Sequence, residues 1–451
     1  MLVGGGAEST WSDPAYSWAA MDQRVGILSY YAEDEDLPSY FKRLGASDAV
    51  NITIDSRSKA ESDTIYNFLM SFDFLFLKGG DQSNYYNTYR SSEVTRALQD
   101  KFDEGGTLGG TSAGLAILTS ISYPALGSSV YPEEGLLDIR DDDITLADDF
   151  IDVLPGYLGD THFIERGRQF RLISFLARWY LDNNQLIKGF GVDDKTALCI
   201  DENRIATVIG TGTVTFYFPD DFQYSGDQFF TDSLSSIQLL DSNRINLQTS
   251  EVIHVDSIDI SPESKINGWY DIYLSGSNVL AKNEKLLMDF LDEIPNDTVT
   301  IVASKRSYAD RLLNFLESVP PVVVVKTNPD NNLESKAELR NDIRKSAGVI
   351  FYKNNHRELF EFLEGGPTGE LIYNHIRRDQ MKTLFIGEDS KLAGAYYCIN
   401  NLEDELNSYY NELAFERGLD LLKSSIIISN TIDPGTSDFY ENNMSAVLYG
   451  L

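Results

Sequence analysis

The chain has 451 residues, of which 42% are hydrophobic and 12% aromatic, and its net charge is −33. This length exceeds one ordinary core, so we expect two folded domains of about 200 residues each. The negative charge argues against nucleic acid or an anionic membrane surface as a partner. No apolar run approaches the ~20 residues that cross a bilayer, and the N-terminus lacks the pattern of a secretory signal. We therefore expect a cytoplasmic protein.

Cysteine and histidine are scarce. Cys199 and Cys398 lie far apart within apolar stretches, so we expect two buried thiols and no disulfide. The chain has four histidines and no zinc-like spacing of ligands. The composition thus predicts neither a metal site nor a cofactor.

Strands and helices alternate through the first half of the chain. Apolar segments predict strands at 2–3, 25–28, 51–54, 72–77 and 107–108. Helical patterns lie between them, for example at 37–44, 62–70 and 93–104. This alternation predicts an α/β fold with a doubly wound, mostly parallel sheet and helices on both faces.

Three glycine-rich turns follow predicted strands, at residues 4–6, 79–80 and 109–110. Ligands of such sheets bind beyond the carboxyl ends of the strands, so these turns are expected to meet at one crevice. A long helix is predicted over 165–180, and the pattern is β-rich from residue 189 to about 260.

The second half repeats this pattern in order. Its predicted strands lie at 271–274, 298–302, 322–325, 347–353 and 383–387. Residues 441–447 also echo a hairpin at 202–208. The matching order predicts a fold duplicated as two similar domains, 1–262 and 263–451. The alternative is two α/β domains that merely share the alternation.

Residues 110–114 (GTSAG) match the G-x-S-x-G pattern, with Ser112 at its centre. The pattern places a serine on a sharp turn between a buried strand and a helix, where its hydroxyl projects from the sheet edge. The preceding helical pattern stops at Gly105-Gly106, and residues 107–108 supply the strand. The alternative is a glycine-rich turn whose serine only caps the helix.

A serine nucleophile needs a base, and the base needs a carboxylate to hold its ring. We expect His254, His356 and His375 to be surface or satisfied core residues. His162 lies just before the long predicted helix, where its side chain can face a crevice. It is therefore the candidate base.

Four ordered motifs within residues 1–260 resemble those of the cyanophycinases, which are aspartyl dipeptidase-like serine peptidases. They are 79–82 (GGDQ), 110–114 (GTSAG), 160–163 (DTHF) with the arginines that follow it, and 189–197 (GFGVDDKTA). The resemblance implies Ser112 as nucleophile and His162 as general base. It also implies that Asp194 orients His162, at a position where the family has glutamate. Asp193 and Glu133 are the alternatives.

The same resemblance implies a substrate pocket lined by polar side chains. Its implied members are Gln82, Asp160, Thr161, Arg166, Arg168 and Arg171. Arg166 and Arg168 can hold a substrate carboxylate in bidentate fashion, and Asp160 can pair with a substrate cation. The alternative is a salt-bridged helix surface. Thr161 stands where the family commonly has glutamine.

Backbone N–H groups are expected to hold the oxyanion, with Ala113 as first donor and Gly80 as second. The second half lacks the corresponding catalytic residues. Residues 387–391 (GEDSK) correspond in order to 110–114, and no histidine follows residue 375. We expect an inactive copy there. Since the cyanophycinases form dimers, the resemblance implies an intrachain pseudo-dimer.

Three hypotheses about function follow. The first is a serine peptidase that hydrolyses β-linked aspartyl peptides, with cyanophycin, a polyaspartate carrying arginines, as the sharpest substrate. The second is an exopeptidase that releases aspartyl or isoaspartyl dipeptides from ordinary peptides. The third is a non-catalytic binding protein.

Overall fold

The computed structural model describes residues 1–31, 36–254, 271–294, 298–316, 321–327, 333–378, 381–429, 431 and 438–449. The described residues divide into two compact units, one within 1–254 and the other within 271–449. The predicted boundary after residue 262 lies outside the described residues. Among the helices of the described residues, none is both long and apolar enough to span a bilayer.

The elements of the first unit follow in chain order. They are β1 (Leu2–Val3), α1 (Asp13–Ala20), β2 (Arg24–Ser29), α2 (Asp36–Arg43), β3 (Asp48–Thr53), α3 (Arg57–Ala60), α4 (Asp63–Met70), β4 (Phe74–Leu77), α5 (Gln82–Tyr89), α6 (Glu93–Asp103), β5 (Thr107–Thr111), α7 (Ala113–Ala116), α8 (Pro132–Leu137), β6 (Tyr157–Asp160), α9 (Gln169–Asn183), β7 (Lys188–Val192), β8 (Thr196–Ile200), β9 (Ile205–Gly210), β10 (Val214–Pro219), β11 (Gln223–Ser225), β12 (Gln228–Phe230), β13 (Leu234–Leu239), β14 (Arg244–Asn246) and β15 (Glu251–His254).

Nine of these strands form one sheet in the order β15-β14-β9-β8-β1-β5-β4-β2-β3. The strands from β1 to β3 in that order are all parallel. The other four extend the β1 edge through antiparallel pairs. A second sheet has the order β13-β10-β7-β6. The mostly parallel core is thus confirmed, and the β-rich stretch after it forms the antiparallel strands.

Strand β4 shows why the sheet is covered on both faces. Phe74 and Phe76 belong to the core that includes side chains of α1 and α2. Leu75 and Leu77 point to the other face and belong to the core that includes α5 and α6. A strand buried on both faces is apolar throughout rather than alternating, as this one is. The predicted helices on both faces of the sheet are confirmed.

The elements of the second unit are as follows, with two short 3₁₀ turns left unlabelled. They are β16 (Ile272–Ser275), α10 (Glu284–Asp292), β17 (Thr298–Ala303), α11 (Arg306–Phe315), β18 (Val322–Lys326), α12 (Leu333–Ile343), β19 (Ser346–Tyr352), α13 (His356–Gly365), α14 (Pro367–Arg378), β20 (Lys382–Ile386), β21 (Gly394–Cys398), β22 (Phe415–Arg417), β23 (Leu422–Ile426) and α15 (Tyr440–Tyr449).

The main sheet of the second unit has the order β16-β20-β19-β17-β18, and every pair in it is parallel. The parallel half of the first sheet has the order β1-β5-β4-β2-β3. In both units the first strand of the chain lies beside the fifth, then come the fourth, second and third. This shared order supports duplication, which stays a prediction. Cys199 and Cys398 are both buried free thiols, as predicted.

The prediction that residues 441–447 form a hairpin like that at 202–208 is wrong, because these residues lie in helix α15. Buried Asn442 hydrogen-bonds to the segment 401–408: its Nδ2 donates to the carbonyls of Asn401 and Asp404, and its Oδ1 accepts from the N–H of Ser408 at 2.8 Å. Side chains held in this way stabilise a helix through distant parts of the chain, and a short sequence echo contains no information about them.

Candidate active site

Ser112 lies at the sharp junction between β5 and α7. Its φ is +52° and its ψ is −119°, a conformation that is strained for a residue with a side chain. Two glycines make the junction possible. A Cβ on Gly110 would lie 2.5 Å from the main chain of Gly114, and one on Gly114 would lie 2.1 Å from the carbonyl oxygen of Leu77. The strain is maintained by this close packing.

His162 stands opposite this turn, and its Nε2 lies 2.7 Å from Oγ of Ser112. The long helix predicted from residue 165 begins only at Gln169. Residues 161–168 instead form an irregular segment in which His162 has a φ of +44°. This segment, rather than a regular helix, turns the imidazole toward Ser112.

Asp194 approaches the other side of the imidazole, with its Oδ1 2.5 Å from Nδ1 of His162. Both side chains are largely buried, 13% exposed for His162 and 17% for Asp194. The angle at the ring N–H falls outside that of a hydrogen bond, so within the described part of the chain these two atoms have no hydrogen-bonding partner. At a separation of 2.5 Å, a small rotation of the ring aligns the pair. An aspartate therefore reaches the base despite being one methylene shorter than glutamate.

The alternative carboxylate, Asp193, is used elsewhere. Its Oδ1 accepts the N–H of Ile164 at 3.0 Å, and its Oδ2 accepts both the N–H and the hydroxyl of Thr213 at 2.7 Å. Burial raises the pKa of Asp193 to about 6 despite these bonds. Asp193 thus anchors the turn between β7 and β8 while its neighbour faces His162.

The first strand and its glycine turn hold these pieces together. The carbonyls of residues 3–5 accept, in order, the N–H groups of Ser112 at 3.0 Å, His162 at 3.1 Å and Lys195 at 2.9 Å. Lys195 directly follows Asp194 in the chain. One short segment therefore sets the main-chain positions of the nucleophile and the base, and of the neighbour of the carboxylate.

Gly5 lies against the pair that His162 and Asp194 form. A Cβ at this position would lie 2.2 Å from Cε1 of the imidazole and 2.6 Å from Oδ1 of Asp194. The sequence predicted that this turn faces the crevice, but it did not predict that the turn packs on the base. The run of three glycines directly after an N-terminal strand was the signal available.

The burial of the site keeps the base neutral. Burial lowers the pKa of His162, with Asp194 opposing and the nearby Arg166 and Arg168 assisting that shift. A neutral imidazole can accept a proton from Ser112. Among the described residues no group of three or more His, Cys, Asp or Glu side chains is arranged to hold a metal ion.

Sequence reasoning missed Glu165, which is 3% exposed. Its Oε2 accepts the main-chain N–H of Asp194 at 3.0 Å. The only signal in the sequence is an acidic residue just after two apolar residues, Phe163 and Ile164, within an otherwise recognisable motif.

The predicted oxyanion donors lie on two turns beside Ser112. Ala113 is the first residue of α7, directly after the nucleophile. A Cβ on Gly79 would lie 3.4 Å from Cβ of Ser112, and one on Gly80 would lie 3.5 Å from the ring of Tyr31. The turn at 79–80 thus passes over the nucleophile, and the roles of Ala113 and Gly80 as donors stay predictions.

Four of the six predicted pocket residues form a buried network. Asp160 and Arg171, each 3% exposed, are joined by two hydrogen bonds of 3.0 and 2.6 Å. Arg168 donates to the carbonyl of Thr161 at 2.9 Å and to its hydroxyl at 3.1 Å. These groups are hydrogen-bonded to one another in the interior. Their contact with a substrate stays a prediction.

The remaining two pocket candidates are more accessible. Arg166 and Gln82 are both half-buried. Gln82 is the first residue of α5, directly after the turn at 79–81, and Arg166 lies in the segment that follows His162. Their contact with a substrate likewise stays a prediction.

The counterpart turn in the second unit has no nucleophile. The first residue after β20 is Gly387, whose φ of +68° resembles that of Ser112, the first residue after β5. The alignment of 387–391 with 110–114 is therefore shifted, and glycine occupies the place of the serine. The neighbouring Ser390 is buried and donates to the carbonyl of Gly387 at 2.7 Å.

Comparison with known proteins finds relatives that are similar to the first unit. Residues 31–208 match the model of peptidase family S51. The chain is 26% identical to the cyanophycinase of Synechococcus elongatus over 247 residues, which cover 52% of this chain and 73% of the relative. It is 27% identical to that of Geminocystis herdmanii over 178 residues, or 39% of this chain and 61% of the relative.

Solved structures include a peptidase from an acI-B1 Actinobacterium, which is 18% identical, with a TM-score of 0.39, over 54% of this chain and 95% of that one. The family match covers Ser112, His162 and Asp194, the three residues that the fold brings together. Residues 31–208 of the first unit are therefore similar to peptidase family S51.

Proposed function

We propose that the first unit is a serine peptidase that works through an acyl-enzyme on Ser112. The observation that carries this proposal is the sequence of contacts from Ser112 Oγ to His162 Nε2, 2.7 Å, and from His162 Nδ1 to Asp194 Oδ1, 2.5 Å. A nucleophile, a base and a carboxylate in that order match the serine peptidase arrangement.

In the acylation step, Oγ of Ser112 attacks the substrate carbonyl carbon while its proton moves to Nε2 of His162. The carbonyl oxygen becomes an oxyanion, which the N–H groups of Ala113 and of the turn at 79–81 would hold. The imidazolium then gives its proton to the leaving nitrogen, and the C–N bond breaks. Removal of one oxyanion donor typically lowers the rate by about 10²–10³-fold.

In the deacylation step, water attacks the ester carbon and gives one proton to Nε2 of His162. The tetrahedral intermediate breaks its bond to Ser112, and the imidazolium returns the proton to Oγ. The product leaves with a free carboxyl group. The carboxylate of Asp194 stabilises the imidazolium in both steps.

We further propose that the substrate is a β-linked aspartyl peptide, with cyanophycin as the sharpest case. The named cyanophycinases among the relatives support this choice. Arg166, half-buried beside the base, suits a free carboxylate of the substrate. Release of aspartyl or isoaspartyl dipeptides from ordinary peptides remains the second candidate within the same chemistry.

The decisive experiment combines a covalent probe with a substrate comparison. A fluorophosphonate should label the wild type and the control Ser58→Ala, whose serine is exposed and remote from the site in sequence, but not Ser112→Ala. Unchanged labelling or turnover in folded Ser112→Ala would remove the serine from the mechanism. Faster hydrolysis of short Asp-X peptides than of β-Asp-Arg polymer would favour the dipeptidase.

A further inference from the structure

A buried brace joins the segment that carries the base to the turn that carries its carboxylate. Asp193, on the turn, accepts the N–H of Ile164 on the base segment at 3.0 Å. Glu165, on the base segment, accepts the N–H of Asp194 on the turn at 3.0 Å. The two bonds run in opposite directions between the same two stretches of chain, so they resist both sliding and separation.

Glu165 is the member of this brace that acts directly on Asp194. Its bond fixes the main chain of Asp194, and the side chain of that residue is only two rotatable bonds long. The position of the main chain therefore largely sets the distance between Asp194 Oδ1 and His162 Nδ1, which is 2.5 Å. The carboxylate of Asp193 does not hold Asp194 or His162 in this way, because its oxygens accept hydrogen bonds from Ile164 and Thr213.

We propose that Glu165 is a positioning residue of the active site, whose carboxyl group holds Asp194 against the base. This inference rests on the proposed function, since it assumes that the pair of His162 and Asp194 activates Ser112. It extends that function by one residue that touches none of the reacting atoms.

The electrostatic surroundings of Glu165 favour its neutral form at pH 7. Burial raises its pKa to about 8, and the neighbouring Asp193 and Asp194 act in the same direction. The titratable and charged groups around it are Asp193 and Asp194 on the turn, Tyr217 of β10 beside Asp193, and His162, Arg166 and Arg168 on its own segment. A neutral carboxyl accepts the N–H without adding a charge beside Asp194.

Ionisation of Glu165 should therefore loosen the pair. Once the pH passes the raised pKa, Glu165 adds a further negative charge beside Asp193 and the carboxylate of Asp194, and it repels that carboxylate. The reactivity of Ser112 is expected to rise as His162 becomes neutral and then to fall on the alkaline side. Glutamine at position 165 keeps an acceptor oxygen and cannot ionise, so it should remove the alkaline fall.

The test measures the rate of Ser112 labelling by a fluorophosphonate from pH 5 to 10, in the full-length chain, because this readout needs no knowledge of the substrate. We compare wild type, Glu165→Gln, Glu165→Ala and a control, Glu104→Gln, which removes an exposed charge. Glu165→Gln should keep a rate within about threefold of wild type at pH 7 and lose the alkaline fall. Glu165→Ala should be at least about tenfold slower, with Glu104→Gln unchanged.

The outcomes separate this inference from the proposed function. Folded Glu165→Ala that labels at the wild-type rate, or an alkaline limb shared by wild type and Glu165→Gln, would overturn the positioning role. If Glu165→Ala does not fold, the test depends on whether the labelling rate of Glu165→Gln still falls at alkaline pH. Labelling that survives in Ser112→Ala would instead refute the serine mechanism itself.

Discussion

Substitution of Gly5 by alanine should disable the site without replacing a reacting group. The new Cβ would lie 2.2 Å from Cε1 of His162, whereas carbon atoms in contact lie about 3.5–4.0 Å apart. The imidazole must therefore retreat by roughly 1.3 Å or more. Its 2.7 Å contact with Ser112 would be lost, and a misplacement of about 1 Å can cost about 100-fold in rate.

The same substitution carries a backbone cost, because Gly5 has a φ of +145°. Strain of this kind costs about 1–3 kcal/mol. Each kcal/mol lowers Tm by about 2–4 °C in a domain of this size. We thus expect a folded Gly5→Ala protein with a Tm a few degrees lower and at least about 100-fold slower labelling of Ser112 by a fluorophosphonate.

The matched control is Gly105→Ala. Gly105 also has a positive φ, +83°, but no atom lies within 4 Å of its Cβ position. It should lose stability by a similar amount and keep its labelling rate. A folded Gly5→Ala protein that labels as fast as Gly105→Ala would refute the inference that this glycine sets the position of the base.

Four further predictions concern the rest of the chain. Asp194→Asn should lower hydrolysis by up to about 10⁴-fold while leaving Tm nearly unchanged, and a loss below tenfold would point to another carboxylate. Arg171→Met should lower the free energy of unfolding, measured in urea, by about 3–5 kcal/mol, because it leaves Asp160 buried without its bidentate partner; a change below 1 kcal/mol would contradict this. Since burial lowers the pKa of His162 from its ordinary 6.5, and only the neutral ring is a base, the labelling rate should fall with acidification at a midpoint below pH 6.5. A fragment of residues 1–262 should be impaired in solubility or activity if the second unit serves as a fused partner, and a soluble, fully active fragment would count against that role.

Local patterns were sufficient for the elements and for most of the candidate site. The turn at Ser112 is recognisable because small residues must flank a strained junction, and this requirement is visible within five residues. Alternating strands and helices likewise predicted the parallel core, since a strand covered on both faces must be apolar throughout. The place of His162 before the long predicted helix made it the candidate base, and the family resemblance then supplied Asp194.

Other choices depended on contacts between distant parts of the chain. Asp193 and Asp194 are neighbours of the same residue type, and what separates them is which one faces Ile164 and Thr213 and which one faces His162. The helix at 440–449 is likewise anchored by buried asparagine contacts to residues 401–408. Short sequence windows contain neither fact.

The sequence by itself therefore determined the order of the strands and helices, the position of the strained turn and the identity of the candidate nucleophile and base. Only the tertiary structure decided how closely Gly5 approaches the imidazole, that Glu165 braces Asp194, and that Asp160 and Arg171 satisfy each other in the interior. The physical reason is range. Backbone conformation and burial leave their pattern within one element, whereas a contact between residues 5 and 162 exists only after packing has brought separate segments together.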